Sequence, residues 1–268
     1  MASADDALHP LAWPDTALWN RQARSLRLTF LGLPLLLTAC MWSAYLAPRR
    51  APSGADLISV ALSNVWAAQI ILSLWLGLVA ILRGAGAIAH LRETGIWPLV
   101  KIMPYDLSEI YRQKAAAVER GLRWPIRLVL GLRAASVILS YFVTPGAAPI
   151  DAALAVLFVY AFCAELLISV RYNCALGLLA STLARTTAQA QGYSHILQGV
   201  LFVTLFAPLW WSFLNRGALF ALGSLPAGGT GEVTLPAILQ YGLLGLVQLL
   251  VIGVCYSLAI RRAVDLVE

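Results

Sequence analysis

The sequence predicts an all-α polytopic membrane protein with six transmembrane helices. Hydrophobic residues make up 60% of its 268 residues and charged residues only 12%, and the mean hydropathy is +0.78. A soluble domain has about 25% charged residues. Six apolar stretches approach the ~20 residues that cross a hydrocarbon core. They lie at 28–47, 57–82, 126–143, 152–172, 195–214 and 236–259, within a single transmembrane domain, 1–268.

Basic residues are concentrated on one side of these predicted spans. With the N-terminus inside, fifteen of the nineteen Lys and Arg residues fall in cytosolic segments and three in outer loops. Cytosolic loops of membrane proteins carry such an excess. We therefore expect a multi-pass protein of the inner (plasma) membrane with both termini in the cytoplasm. The net charge of +6 then reflects topology, and we expect no nucleic-acid partner.

The segment before the first span, residues 13–27, is predicted to be an amphipathic helix. Leu18 and Trp19 share one helical face, and Arg21 and Arg24 fall on the other. This pattern is typical of a helix that lies in the membrane interface in contact with lipids. An ordinary stub preceding the first span is the alternative.

Two further segments are harder to assign from the sequence. The outer loop, residues 215–235, contains an apolar run at 217–223 that is too short to span, so it is either a short re-entrant or interface-lying piece or a disordered loop with a few apolar residues. Polar residues at 171–173 leave the end of the fourth span open, and that helix can continue as far as Arg185.

A polar segment with two prolines, residues 83–125, separates the second and third spans and is expected in the cytosol. Gly95 is placed to end the helix that continues from the second span. Pro98 and Pro104 restrict the backbone and prevent a long regular element between them. We call residues 96–105, IWPLVKIMPY, the elbow.

A second helix is predicted after the elbow. Asp106 and Glu109 have capping-box spacing, with Asp106 as the N-cap, and Gly121 is the expected end of this helix. The elbow itself is too apolar for a solvated linker, and Trp97 and Tyr105 are its largest side chains. They must pack either on this chain's own helices or on a partner.

In this segment the chain resembles the ABC type-2 permeases, the membrane subunits of a large class of ABC exporters. Their cytosolic loop has the form acidic-x-Gly-Thr-Trp-(apolar)-Pro-Leu-Ser-x-x-Glu-Ile-x-x-x-Lys. The matching positions are Glu93, Gly95, Trp97, Pro104, Glu109, Ile110 and Lys114, with Ser108 offset by two. Ile96, Pro98 and Tyr105–Asp106 depart from the pattern. The stretch ALGLLASTLARTTAQA from Ala175 also resembles the segment that ends the family's fourth span.

The resemblance implies a coupling loop that docks on a separate ABC ATPase subunit, in a complex with a second permease chain as a homodimer or heterodimer. The residues it assigns to this contact are Glu93, Gly95, Trp97, Pro104, Tyr105, Asp106, Glu109 and Lys114. Aromatic anchors ringed by charge are typical of protein interfaces, which agrees with this assignment. A loop that packs internally is the alternative.

The chain has no catalytic motif of its own. Its two lysines, Lys101 and Lys114, do not follow a glycine, so no Walker A motif is present and ATP hydrolysis is expected in another subunit. The three histidines have no metal-binding spacing, and we expect no metal and no cofactor. The protein is therefore not expected to be an enzyme.

Two charged residues, Arg133 and Glu165, fall inside predicted spans at similar depth. Charges in a bilayer are costly and usually pair, so we expect an ion pair between them, with Arg171 as a competing partner. It serves either to fix helix register or as part of a substrate site. Five amides inside the spans should hydrogen-bond between helices or line a pathway. They are Asn64, Gln69, Gln198, Gln240 and Gln248.

Two functions remain open at this point. The first is a permease subunit of an ATP-driven exporter, coupled to its ATPase through residues 90–115. The second is a non-transporting membrane scaffold, or an accessory subunit of a larger complex, with a permease-like fold. The transported substrate does not follow from the sequence.

Overall fold

A computed structural model of the chain describes residue 32 and residues 54–101, 106–143, 149–207 and 231–265. Within these ranges every regular element is helical. The predicted interfacial helix at 13–27 lies outside the described residues, and so does the first span at 28–47 apart from residue 32. Most of the outer loop, residues 215–230, also lies outside them.

Six α-helices and one π-helical turn make up the described chain. In order they are α1 (Gly54–Glu93), α2 (Trp97–Lys101), α3 (Leu107–Val143), α4 (Pro149–Leu183), α5 (Thr187–Leu201), the π-helical turn (Phe202–Phe206) and α6 (Gly231–Asp265). Three of them, α1, α4 and α6, contain stretches long and apolar enough to cross a membrane. These stretches are Asn64–Glu93, Ala153–Leu183 and Ile238–Arg262. The 40 residues of α1 measure about 60 Å, twice the ~30 Å hydrocarbon core, so part of this helix must project beyond it.

The sequence predicts that the helix after the elbow ends at Gly121. This prediction is wrong, because α3 continues through Pro125 to Val143. A glycine inside a helix costs only about 1 kcal/mol relative to alanine. Leu122 and Val129 are buried on the same helix, and their packing offsets this cost. The continuation of the fourth predicted span is present, since α4 runs to Leu183 without interruption.

Helix α4 is the centre of the bundle and packs most extensively against α1 and α6. Every residue from 172 to 182 is buried, which is typical of a helix surrounded on all sides. Contacts pair α1 and α4 in the same direction along both helices, from Trp66 with Phe162 to Arg92 with Ala184. Helix α6 is also parallel to α4, because Tyr241 contacts Phe158 and Gly245 lies against Ile168.

Helix α3 runs in the opposite direction to α4. Along α3, Glu119 pairs with Arg171, and further on Arg133 pairs with Glu165. The helices that contain predicted spans two, four and six are therefore parallel to one another, and the helix that contains the predicted third span is antiparallel to them. Alternate crossing of a membrane requires this arrangement of consecutive spans.

The backbones of α1 and α4 touch where Gly84 meets Gly177. A Cβ added to Gly177 would clash with the carbonyl oxygen of Ile81 and lie 2.7 Å from the nitrogen of Ala85. A Cβ added to Gly84 would lie 2.7 Å from the carbonyl oxygen of Cys174. Small residues allow such close approach between membrane helices.

One turn further along, polar contacts continue the same interface. The hydroxyl of Ser181 accepts hydrogen bonds from the backbone nitrogens of Ile88 (3.0 Å) and Ala89 (2.7 Å). The guanidinium of Arg92 donates to the carbonyl of Ala184 at 2.6 Å, at the C-terminal end of α4. A cation is favourable at a helix C-terminus, so this contact ties the two helix ends together.

Replacing Gly177 with alanine should destabilise the protein by about 1–3 kcal/mol or more, because the new methyl group would overlap backbone atoms of α1. Gly192→Ala is the matched control. It lies within α5 and a Cβ there meets nothing within 4 Å, so a gain of up to about 1 kcal/mol is expected. Thermal unfolding of the purified protein in lipid nanodiscs measures both, and equal midpoints for the two variants would contradict the close contact.

Candidate functional site

Helix α1 ends in a glycine turn that directs the chain into the elbow. Gly95 has φ = +72°, a conformation that glycine adopts without strain. The nitrogen of Ile96 donates to the carbonyl of Leu91 at 2.9 Å, and that of Gly95 to the carbonyl of Arg92 at 3.1 Å. These two bonds define a Schellman motif. The prediction that Gly95 ends this helix is confirmed.

The described part of the elbow is the short helix α2, which has a buried side and an exposed side. Trp97 is only 5% exposed and belongs to the same core cluster as Leu91 and Tyr111. Leu99 is 57% exposed, and Ile96 is exposed as well. Trp97 therefore anchors the elbow to this chain, and Ile96 and Leu99 form its outer surface.

Lys114 was assigned to a partner contact by the resemblance, but it points inward. It is 2% exposed on α3, three residues after the buried Tyr111. Burial also raises the pKa of the Tyr111 phenol, so this side chain stays neutral. Trp97 is thus part of the interior that α1 and α3 share, and Lys114 is buried on α3.

The start of α3 has the predicted N-cap. The carboxylate of Asp106 accepts hydrogen bonds from the backbone nitrogen of Ser108 at 3.4 Å and from the Ser108 hydroxyl. Glu109 pairs with Arg112 at 3.1 Å and accepts from the Gln113 amide at 3.1 Å. The side chains of Asp106 and Arg112 are exposed. Pro104 and Tyr105, also assigned to the partner contact, lie outside the described residues.

Glu93 links the end of α1 to the start of α5. Its carboxylate accepts hydrogen bonds from the Thr187 hydroxyl at 2.7 Å and from the Thr187 nitrogen at 3.2 Å. Helix α5 begins here, with Thr186 as its N-cap. The negative charge of Glu93 is favourable at this helix N-terminus. The two segments that resemble the permease family are therefore in direct contact with each other.

The two charges predicted inside the spans form an ion pair. A guanidinium nitrogen of Arg133 lies 2.8 Å from a carboxylate oxygen of Glu165, and both side chains are buried. Arg133 also donates to the Ser73 hydroxyl at 3.1 Å and to the carbonyl of Phe162, and its guanidinium lies 4.2 Å from the centre of the Phe162 ring. Arg171 instead pairs with Glu119 at 3.0 Å.

The ion pair lies in the wall of a cavity of about 440 Å³ between α1, α4, α5 and α6. Its apolar walls are largely aromatic, and the polar residues around it come from several helices. The aromatic residues are Trp66, Phe162, Tyr172, Phe202, Phe206 and Tyr241. The polar residues are Gln69, Ser73, Arg133, Glu165, Ser169, Asn173, Gln198 and Gln248. Nothing in the sequence pattern indicated that these residues surround one space.

The amides inside the spans behave differently from one another. Gln198 donates to the Asn173 side chain at 3.2 Å, as expected of an interhelical hydrogen bond. The side-chain amides of Gln69 and Asn64 have no hydrogen-bond partner among the described residues, and neither does Oε1 of Gln248 or Gln240. Among the described residues, Gln69 and Asn64 therefore do not make the expected interhelical hydrogen bonds, and Gln69 instead lines the cavity.

The described residues contain no group of three or more His, Cys, Asp or Glu that could hold a metal ion. No protein-family model, curated protein or solved structure matches the chain.

Trp97→Ala should destabilise the protein by about 3–5 kcal/mol, because it removes a large buried side chain from the core under α2. Leu99→Ala, two residues away on the exposed side, should change the stability by no more than about 0.5 kcal/mol. Thermal unfolding in nanodiscs compares the two variants. A smaller loss for Trp97→Ala than for Leu99→Ala would mean that α2 packs with its opposite face inward.

Removing one partner of the Arg133–Glu165 pair should be more harmful than removing both. Arg133→Met or Glu165→Met alone leaves a buried charge without its counter-charge, which costs about 3–5 kcal/mol. The double variant should recover most of this loss, because no buried charge remains. A double-mutant cycle of thermal unfolding measures the coupling, and additive losses would show that the pair contributes no interaction energy.

Proposed function

We propose that this chain is the membrane-embedded permease subunit of an ATP-driven ABC exporter. It contains six spans and works with a second permease chain and with separate ATPase subunits. The observation that carries the proposal is the elbow, where an exposed apolar tip is fixed to the bundle by a buried anchor. Ile96 and Leu99 form this tip, and Trp97 is the anchor.

A coupling element must transmit force to the spans without bending. The elbow meets this need because Trp97 packs in one cluster with residues of both α1 and α3, Leu91 and Ile110. The Schellman turn at Gly95 further restricts the joint between α1 and α2. A push on Leu99 therefore moves the ends of α1 and α3 together.

The partner-facing residues of the proposal differ from those that the family motif names. Apolar and charged groups on the outer side of the elbow and at the start of α3 form the docking surface. They are Ile96, Leu99, Asp106, Glu109 and Arg112. An apolar centre with charged groups around it is typical of a protein interface. Trp97 supports this surface from inside, and the buried Lys114 is not part of it.

The parallel direction of α1, α4 and α6 supports the six-span topology. Together with the antiparallel α3, it agrees with alternate crossings in which the elbow and the end of α6 lie in the cytoplasm. The excess of basic residues on that side gives the orientation in the inner membrane. The ATPase subunit supplies the ATP hydrolysis that this chain lacks.

Leu99→Asp should weaken docking of the ATPase by about ten-fold or more, since it puts a charge at the centre of an apolar contact. The tagged chain is purified from membranes of its own organism, and bound proteins are identified by mass spectrometry and assayed for ATP hydrolysis. Wild type should retain a protein with a Walker A motif, and Leu99→Asp should lose it. Leu183→Asp, an exposed leucine at the end of α4, is the matched control and should retain it.

Two results contradict the proposal in different ways. If wild type retains no ATPase but retains other membrane proteins, the scaffold alternative accounts for the chain better. If Leu99→Asp and Leu183→Asp retain the ATPase equally, the elbow is not the docking surface.

A further inference from the structure

Several residues that line the cavity between α1, α4, α5 and α6 have buried polar atoms without hydrogen-bond partners. Five such atoms belong to four cavity-lining residues, each more than nine-tenths buried. They are Nε2 and Oε1 of Gln69, Nε of Arg133, the Tyr172 hydroxyl and Oε1 of Gln248. Among the described residues, none of these atoms has a hydrogen-bond partner.

Gln69 is the most informative of these residues. It is 1% exposed, and both ends of its side-chain amide lack partners. A buried polar group without a hydrogen bond costs about 1–3 kcal/mol, and an apolar residue of similar size at the same place would avoid this cost. A polar side chain buried at such a cost points to a partner that the described residues do not supply.

The unpartnered atoms define the chemistry of that partner. Gln69 Nε2, Arg133 Nε and the Tyr172 hydroxyl are donors, and the Oε1 atoms of Gln69 and Gln248 are acceptors. A carbonyl can accept from the donors, and an amide can satisfy both kinds. Arg133 and Glu165 already neutralise each other at 2.8 Å, so the lining offers no net charge for an ion to pair with.

The apolar part of the lining indicates that the remainder of the bound molecule is apolar. Phe162 and Tyr241 have ring centres 5.1 Å apart, and Trp66 stacks on Phe162 at 5.8 Å. Phe202 and Phe206, which also line the cavity, come from the π-helical turn, a local departure from the α-helix that often occurs at functional sites. Binding pockets for small molecules have volumes of about 300–1,000 Å³ and mostly apolar walls.

We propose that this cavity binds an uncharged, mainly apolar small molecule that carries a carbonyl or amide group hydrogen-bonded to Gln69. This proposal deepens the proposed function. It rests on that function only where the bound molecule is identified as the transported substrate. The binding itself requires no ATPase. Ordered water in place of a ligand is the competing occupant, and the test distinguishes the two.

Benzophenone is a suitable probe, because it is uncharged and apolar, has one carbonyl acceptor and attaches to nearby C–H groups on illumination. The purified chain in nanodiscs, without an ATPase, is illuminated with it, and adducts are located by tandem mass spectrometry. Leu166 and Leu244 report on the cavity, and the exposed Val156 reports on the outer face of α4. We expect adducts on the cavity residues in excess of those on Val156.

Gln69→Leu should lower labelling of the cavity about three- to ten-fold, the effect of losing one hydrogen bond, and leave labelling of Val156 unchanged. Asn64→Leu is the matched control. It removes another buried amide without partners on the same helix, but one that does not line the cavity, and labelling should stay at the wild-type level. Both variants should fold, because each replaces an unsatisfied amide by an apolar group.

Competition tests the ligand class in the same samples. Benzanilide, an uncharged amide, should reduce labelling of the cavity, and the cation tetraphenylphosphonium at equal concentration should not. Equal labelling of the cavity and the outer face in wild type indicates a cavity filled with water and overturns the proposal. Equal losses of labelling in Gln69→Leu and Asn64→Leu also overturn it, and so does equal competition by the cation. None of these results depends on the elbow. If the labelling experiment overturns ligand binding, the proposed coupling through the elbow is unaffected, and if the ATPase does not dock on the elbow, the labelling is unchanged.

Discussion

The direct backbone contact between α1 and α4 is the constraint on which the rest of the structure depends. Because Gly84 and Gly177 carry no side chains, the two helices cross with their main chains touching. This crossing brings the Ser181 hydroxyl to the backbone of α1 and the Arg92 guanidinium to the end of α4. It therefore fixes the relative height of the helices with the two longest apolar stretches and the position of the elbow that follows α1.

The same crossing helps to explain where the cavity forms. Helices that cross at one point diverge away from it, and Glu165 lies 12 residues before Gly177, which is about 18 Å along α4. At that height the space between α1 and α4 is occupied by the Arg133 side chain from α3, bonded to Ser73 on one helix and Glu165 on the other. The ion pair thus closes one wall of a space that side chains of α1 and α4 alone do not fill.

The sequence alone predicts the parts of this structure that depend on periodicity, caps and the cost of buried charge. The helix end at Gly95, the N-cap at Asp106 and the pairing of Arg133 with Glu165 follow from such local or pairwise rules. The inward direction of Trp97 and Lys114 does not, because a short motif fixes spacing but not which face a neighbouring helix covers. The cavity is harder still, since its lining comes from five helices and depends on how far they diverge.

The elbow and the cavity lie at different heights on the same rigid element. Gln69 and Glu93 are 24 residues apart on α1, about 36 Å along one uninterrupted helix. A displacement of the elbow moves Gln69 against the opposite wall only if that wall is held by something other than α1. The π-helical turn with Phe202 and Phe206 directly follows α5. Helix α5 is tied to α1 at its start, where Thr187 meets Glu93, and the turn departs from the α-helical pattern beside the cavity. Coupling between two sites requires an element with two arrangements, and this turn is the described segment beside the cavity whose hydrogen bonding already departs from the regular helix.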